Sequence, residues 1–524
     1  MLQIMSSRKA IRKPLSFSTT MRNPNRIVEF LNCILPYENQ ILTHDVIMKI
    51  VQSIIREKIY TPRIVRGTGE LKEILKSEDK TFSDEQIEKI IEDSPQKHKE
   101  AEYAYGWDSR FETIYKLPKE FGFVKYAMGE PIIISATGHM LIDAMNEKEP
   151  NEEKIRAVFL NSMMKYQTNN PYRKNANSNV PLVLLLQVLK LLKEDKEENG
   201  AGVFVKELSL FICWPDNDYK KLYHEIKNIR KEVGYNYSDE YMYDICLKLL
   251  GVTHEQENRF KMSQICKEAV DEYIRKMRST GVISLRGNGR FVDYNTWEIE
   301  KINYILENYS KYEEFKSKDE YFEYMGSVDT VIINMESNIP EDITDIRKQT
   351  LERFASEYSK EDIYTELHDV CNKKESKDPV FRFLPNPVRL EFLTSIAMQQ
   401  NFDNLDVIPN YSIDDEGLPT NTASGGKADI ICIDSEYESL VEVTLMCGRQ
   451  DQVVNEILPI RRHLMEEKKT RENVFSLFIA PVIHEDAKEA AKWYNHSEQL
   501  DIVTLDINSF IEKIKELNYI KEML

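Results

Sequence analysis

Gly426-Lys427-Ala428-Asp429-Ile430-Ile431-Cys432-Ile433, followed after a short turn by Ser439-Leu440-Val441-Glu442-Val443-Thr444-Leu445, decides the fold of the C-terminal third of this 524-residue chain. Both runs are short and aliphatic, and the turn Asp434–Glu438 between them is polar, so the pair predicts adjacent strands over 428–433 and 439–445. One acid interrupts each apolar run. Asp429 opens the first strand and Glu442 sits in the middle of the second, so pairing of the strands brings the two carboxylates side by side. Carboxylates among apolar neighbours are costly when left uncompensated. A divalent cation removes that cost. Mg²⁺ takes hard oxygen ligands and keeps water, which suits Asp429, Glu442 and a backbone carbonyl such as that of Val443. An ion held in this way lowers the pKa of a bound water and stabilises charge on a phosphate under attack.

Working outward from the hairpin, a helix around Val388–Met398 carries Glu391, within reach of the metal shell. A polar, Gly-containing loop runs from Asn410 to Lys427. After the hairpin the pattern reads helix 449–469, strand Val474–Ala480, helix 485–494, strand 502–505 and helix 507–517. These elements make an α/β domain over 346–524. Glu456 and His463 are seven residues apart and share one face of the helix after the hairpin. Pro459 between them kinks that helix, because it cannot donate to its i−4 carbonyl. Thr444 points to the same side of its strand as Glu442. Lys427 is placed to face a phosphate, and Gln450 and Gln452 are weaker contacts of the same kind.

The rest of the chain is mostly helical. Apolar residues recur at helical spacing in 27–35 and 44–58, and Ser83 with Gln86 makes a capping box ahead of Ile87, Ile90 and Ile91. Two stretches have the layout of a winged helix. In 111–143 a helix is followed by Gly122-Phe123-Val124, a turn at Met128-Gly129-Glu130, Pro131-Ile132-Ile133-Ile134, and a second helix opened by Thr137-Gly138-His139. In 260–293 an amphipathic helix leads into two β-rich arms around Gly287-Asn288-Gly289, a strong hairpin signal. Arg286 and Arg290 flank that tip, either as solvated arginines of an ordinary hairpin or as contacts to DNA. The divisions expected are 1–160 and 161–300, each with a winged-helix-like unit, a helical linker over 301–345, and the α/β domain.

The net charge is −18, from 88 acidic and 70 basic residues. Phosphate contacts need Lys and Arg, so an acidic chain must concentrate them locally. Residues 1–26 do so, with Arg8, Lys9, Arg12, Lys13, Arg22 and Arg26 and no acid. That stretch is either a solvated tail or an arm lying on phosphates. The seven cysteines are scattered without a C-x-x-C pair, so neither a zinc module nor a disulfide framework is indicated, and a reducing cytoplasm fits. No apolar run is long enough for a membrane span, and no secretory signal is expected. A Walker-type phosphate loop, a G-x-S-x-G elbow and an H-E-x-x-H zinc motif are absent from the sequence.

At Gly426-Lys427-Ala428-Asp429-Ile430 and Val441-Glu442-Val443-Thr444-Leu445 the chain resembles the PD-(D/E)xK nuclease core as found in the AlwI-type type IIS restriction and nicking endonucleases. The resemblance extends to Asn386-Pro387-x-x-Leu390-Glu391, to Glu456 and His463, to Ser18-Thr19-Thr20-Met21-Arg22-Asn23-Pro24, and to both wing-like stretches. It implies a modular enzyme in which the winged-helix subdomains read a short asymmetric site in double-stranded DNA. A C-terminal Mg²⁺-dependent domain then cuts at a fixed distance outside that site. Carried over by position, the active-site set is Glu391, Asp429, Glu442, Glu456 and His463, with Asp429, Glu442 and the Val443 carbonyl on the metal. Arg22, Arg286 and Arg290 are the expected DNA contacts. Thr444 stands where most of the superfamily has Lys, which leaves His463, Glu456 or Lys427 to supply that function. Double-strand cleavage requires a second copy or a partner subunit, and a cognate DNA methyltransferase in a prokaryotic cytoplasm completes the expected system. Two other readings stay open from the sequence. One is an inactive DNA-binding regulator, and the other is a different enzyme on the same core, such as a resolvase or transposase nuclease.

Overall fold

The computed structural model describes residues 12–17, 25–67, 69–77, 80–148, 150–198, 200–252, 259–337, 343–423 and 426–524. The chain divides near residue 339 into two compact units, and the hairpin tip Leu285–Phe291 groups with the later one. Among the described residues no helix is long and apolar enough to cross a membrane.

The earlier unit is helix-rich. The expected capping box is present: the Gln86 amide donates to the Ser83 hydroxyl and the Ser83 amide donates back to the Gln86 side chain. Helix α1 (Trp107–Glu120) bends at Tyr115, because Pro118 can neither donate to a preceding carbonyl nor let its ring clear that carbonyl in a straight helix. It leads into an antiparallel pair of short strands, β1 (Val124–Lys125) and β2 (Ile133–Ile134), with Val124 opposite Ile134. Further along come α2 (Pro181–Glu194), β3 (Val203–Phe204) and α3 (Leu208–Cys213). A π-helical turn, Gln264–Glu268, then runs straight into α4 (Ala269–Arg278), and the strands β4 (Ile283–Arg286) and β5 (Phe291–Tyr294) follow. These strands join β3 in a three-stranded sheet of order β3-β5-β4. Gly287, Asn288 and Gly289 at the hairpin tip all have positive φ, 61°, 61° and 68°. That is why glycine and asparagine fill the turn.

Residues 301–337 of the segment expected as a helical linker pack into this unit. The helices Lys318–Gly326 and Thr330–Asn334 bury Tyr321, Met325 and Ile332. The Tyr321 hydroxyl donates to the Glu120 carbonyl, and Lys165 and Asn161 both donate to the Ser327 carbonyl. The pattern of the sequence shows few aliphatic residues here because tyrosines and buried polar pairs make the contacts instead.

The later unit is a mixed sheet between two helical layers. The strands are β6 (Asp406–Pro409), β9 (Ile430–Ile433), β10 (Glu438–Val443), β11 (Val474–Ala480) and β12 (Ile502–Asp506), with a separate small pair, β7 (Ser412–Ile413) and β8 (Pro419–Asn421). The main sheet has the order β12-β11-β10-β9-β6; β10, β11 and β12 run parallel, while β9 is antiparallel to both its neighbours. All seven residues of β11 are buried, as a central strand covered on both faces requires. Its alternation feeds two cores. Phe475, Leu477 and Ile479 pack with α5 (Lys360–Cys371), α6 (Asn386–Asn401) and α9 (Ile507–Glu516), while Val474, Phe478 and Ala480 pack with α7 (Leu458–Glu467) and α8 (Glu485–Glu498). Each fully buried aliphatic or phenyl side chain contributes roughly 1.5–3 kcal/mol, so these two layers fix the sheet.

Candidate active site

The Val441–Ile430 register of β10 and β9, carried one step further, sets Glu442 opposite Asp429 at the end of the antiparallel pair. Both lie on the sheet face toward α7, because Leu440, two residues from Glu442, and Ile431, two residues from Asp429, pack into that layer. Asp429 is locked from two sides. Its Oδ2 accepts from the Val443 amide at 2.8 Å, and its carbonyl accepts from the Asn410 amide at 2.9 Å. Asn410 also donates through its side chain to the Ala428 carbonyl at 2.8 Å, so it clamps the backbone that presents Asp429. Sequence reasoning missed Asn410, and the only signal was an Asn closing a short strand ahead of a polar loop.

Helix α7 supplies the third side. The His463 Nδ1 lies 3.0 Å from Glu442 Oε1. The Thr444 hydroxyl hydrogen-bonds to the Glu456 carboxylate. Residues two apart on the strand thus meet residues seven apart on the helix, as periods of 2 and 3.6 allow. The helix reaches this position through a π-helical segment, Asp451–Ile457, that ends where Pro459 occupies the first turn of α7. The winding changes from π to α just ahead of Pro459, which has no N–H to donate and is tolerated in a first turn. The His463 Nε2 is buried and has no hydrogen-bond partner.

Glu391 completes the cluster from α6. It is 3% exposed, and its Oε2 accepts from the Ala423 amide at 3.1 Å. Burial pushes its carboxyl up to about 7, repulsion from Glu442 adds to this, and the Ala423 hydrogen bond opposes it. Burial likewise holds Glu456 at about 7, with the Thr444 hydrogen bond opposing and Glu442 adding. Asp429 is raised well above the usual carboxylate range, first by burial and then by the charges of Glu442 and Glu391. The site therefore concentrates more negative charge than its own hydrogen bonds neutralise.

The other residues singled out from sequence fall differently. Lys427 is exposed. Gln452 is fully buried and spends its side chain on backbone groups: it donates to the Met446 and Val482 carbonyls, each at 2.8 Å, and accepts from the His484 amide at 2.7 Å. It staples the loops after β10 and β11 together and is not a phosphate contact. The tip expected to project as a wing is engaged within the later unit. Arg286 pairs with Glu416 at 2.9 Å, the Asn288 amide donates to Asp414 at 2.7 Å, and the Arg290 guanidinium lies 4.0 Å from the centre of the Phe383 ring. The carboxylates of 414–416 attract the tip, a pairing that sequence separation conceals. Arg22 lies outside the described residues.

Among the described residues no group of three or more His, Cys, Asp or Glu side chains forms a ready-made metal cage. Mg²⁺ does not require one, since it binds through one or two carboxylates and keeps several waters. The oxygen-only donors Asp429 and Glu442, crowded by a third acid, match that demand.

An α/β unit with such a cluster on its sheet belongs, by sequence comparison, to a restriction endonuclease. The chain is a member of the AlwI restriction endonuclease family, whose profile matches residues 119–378 and 334–513. No curated protein matches the sequence. Among solved structures, the small subunit (R.BspD6I2) of the heterodimeric restriction endonuclease R.BspD6I is 22% identical, over 30% of this chain and 77% of that one, at a TM-score of 0.26. Restriction endonuclease FokI aligns over 98% of this chain and 97% of its own at 14% identity and a TM-score of 0.23. FokI bound to DNA aligns over 98% of both chains at 12% identity and the same TM-score of 0.23. At such scores the structural likenesses add nothing to the family assignment.

Proposed function

We propose that this restriction endonuclease is a type IIS-like enzyme, cutting or nicking double-stranded DNA at a fixed distance from a short asymmetric site, with a PD-(D/E)xK-type centre in the later unit and winged-helix-type recognition in the earlier one. The convergence of Asp429, Glu442 and Glu391 at one end of β9 and β10 carries this reading. Asp429, Glu442 and the Val443 carbonyl would hold Mg²⁺. When bound, the ion supplies Lewis acidity and charge neutralisation at the scissile phosphate. The chain's own groups do the positioning. Glu442 fixes the His463 ring through Nδ1, so His463, its Nε2 buried, holds in place a carboxylate that would bind the ion. Thr444 orients Glu456, which replaces the missing lysine as a proton acceptor near neutral pH. A single cluster cuts one strand, so a double-strand break needs a second copy or a partner subunit. A cognate DNA methyltransferase would protect the host, and a prokaryotic cytoplasm is the natural setting.

Incubation with plasmid DNA and Mg²⁺, followed by run-off sequencing of both strands, tests the reading. Cuts at a constant offset from one motif are expected. Intact plasmid across metals and salts would instead favour a DNA-binding regulator, and cuts unrelated to any motif would favour another enzyme of the superfamily.

A thermal measurement tests the metal independently of cleavage. Glu391 and Glu456 titrate near 7 in the folded state, above their ordinary value of 4.5. The folded protein thus binds more protons than the unfolded chain. Their stabilising contribution is complete below about pH 4.5 and is lost as the pH rises through about 7. Without metal, Tm should fall between about pH 5 and about pH 8. Mg²⁺ held by Asp429 and Glu442 is attracted more strongly once the neighbouring Glu391 and Glu456 ionise, so its effect on Tm should be small at the acid end and several degrees at the alkaline end. A Mg²⁺ effect equal at both ends would place the ion away from this acid cluster.

A further inference from the structure

Two helices of the earlier unit are each followed by a hairpin, α1 by β1-β2 and α4 by β4-β5. In a winged arrangement the helix ahead of the hairpin is the one that lies in the major groove. Such a helix needs a polar face open to solvent, and the two helices differ sharply in this. Of the residues of α1 only Thr113 is exposed, while Asp108, Ser109, Phe111, Ile114, Tyr115 and Leu117–Glu120 are buried. The segment formed by the π-turn and α4 is two-sided. Ile265, Ala269, Val270, Tyr273 and Met277 are buried, and the Tyr273 hydroxyl ties that side to the Pro181 carbonyl at 3.0 Å. Lys267, Glu268, Asp271, Arg275 and Arg278 are exposed, at spacings that place them in one stripe.

We infer that the solvent face of this 264–278 helix is the base-reading surface of the chain, with Arg275, oriented by Asp271, donating to a purine edge in the major groove of duplex DNA. This rests on the sequence-specific nuclease reading given above. Arg275 donates through Nε to Asp271 Oδ2 at 3.0 Å. That bond fixes the plane of the guanidinium and leaves its terminal amino groups for a partner. A fork of two donors in one plane matches the O6 and N7 acceptors of guanine, the pairing that distinguishes G·C from the other base pairs. Asp271 and Arg275 are 50% and 54% exposed, so DNA can reach them without rearrangement of the core. The π-turn at Gln264–Glu268 adds a second mark. It widens the winding where Lys267 and Glu268 face outward, and such turns are costly and concentrate at functional positions. By the same measure α1 is a core element, so the two winged-type stretches have different tasks.

Wild-type and Arg275→Ala proteins would each cleave a randomised duplex library, with the cut fragments sequenced and binding followed by gel shift. The expected result is loss of discrimination at one base position by between about 5- and 150-fold, with preferences elsewhere retained and Tm unchanged. Asp271→Asn should relax the same position, and Arg275→Lys should not restore it, because an ammonium lacks the fork. Uniformly weaker binding with an unaltered base profile overturns the inference and marks Arg275 as a phosphate contact. An unaltered profile with unaltered affinity also overturns it. If the wild type shows no preferred sequence, the site-specific reading itself fails and takes this one with it. If the wild type shows a motif that Arg275→Ala keeps, only the helix assignment fails.

Discussion

Replacing Asp429 with Asn lowers strand cleavage on the order of 10³-fold or more while leaving sequence-selective DNA binding in place. The substitution keeps the shape of the side chain and an oxygen that can accept from the Val443 amide, the 2.8 Å bond that anchors it. It removes only the charge. Glu442 remains hydrogen-bonded to His463, so the second carboxylate is still in position, and what is lost is the paired negative charge a divalent ion needs. The same change relieves the repulsion that raises the Asp429 carboxyl, so without metal the variant should melt no lower than the wild type at alkaline pH. Run-off sequencing, gel shift and a melting curve on one preparation read all three effects. Cleavage within tenfold of wild type, or a large fall in Tm, would show that Asp429 is structural.

The largest stability effect is expected two residues before Glu391. Arg389 is 1% exposed. It pairs with Glu366 at 2.9 Å and donates to the Lys374 and Glu366 carbonyls at 3.1 and 3.3 Å. It thereby bolts α6, the helix that carries Glu391, to α5 and the loop behind it. Arg389→Met fills the space but leaves a largely buried carboxylate and two carbonyls without their donor. Breaking one side of a buried pair costs about 3–5 kcal/mol, or roughly 10 °C for a unit of this size. Urea unfolding measures it. The double variant Arg389→Met with Glu366→Gln should recover part of the loss, since no charge is then stranded. A single-variant cost below about 1 kcal/mol would mean that water already solvates the pair.

Much of the later unit was legible because its pattern is extreme. Val474–Ala480 is a run of seven residues with only Ser476 polar, and it is an interior strand at those bounds. Asp429 and Glu442 stood out as acids in apolar strands, and the strand-to-helix periodicities joined Glu456 and His463 to them. What stayed hidden depended on partners far apart in sequence. Strand β6 was unread because it is four residues long and ends in Pro409, which only an edge strand tolerates. Gln452 looked like a polar contact because its hydrogen-bond partners are backbone groups, which carry no sequence signature. Arg286 and Arg290 looked free because Glu416 and Phe383 lie about a hundred residues away along the chain. The turn Gly287-Asn288-Gly289 was plain in the sequence, while in the earlier unit the contrast between a buried α1 and an open α4 needed the packed structure.

The pairing of Val441 with Ile430 also decides how little the sequence between the two acids can change. Side chains alternate across a strand, so a slip of a single residue between β9 and β10 would turn Asp429 away from Glu442 and force an acid into an aliphatic layer. An insertion or deletion of one residue within either strand would have the same result, whereas one in the turn that joins them would leave the register free to hold. The tolerance of this stretch to length changes is thus confined to the turn, with β11 pinning the far side of β10.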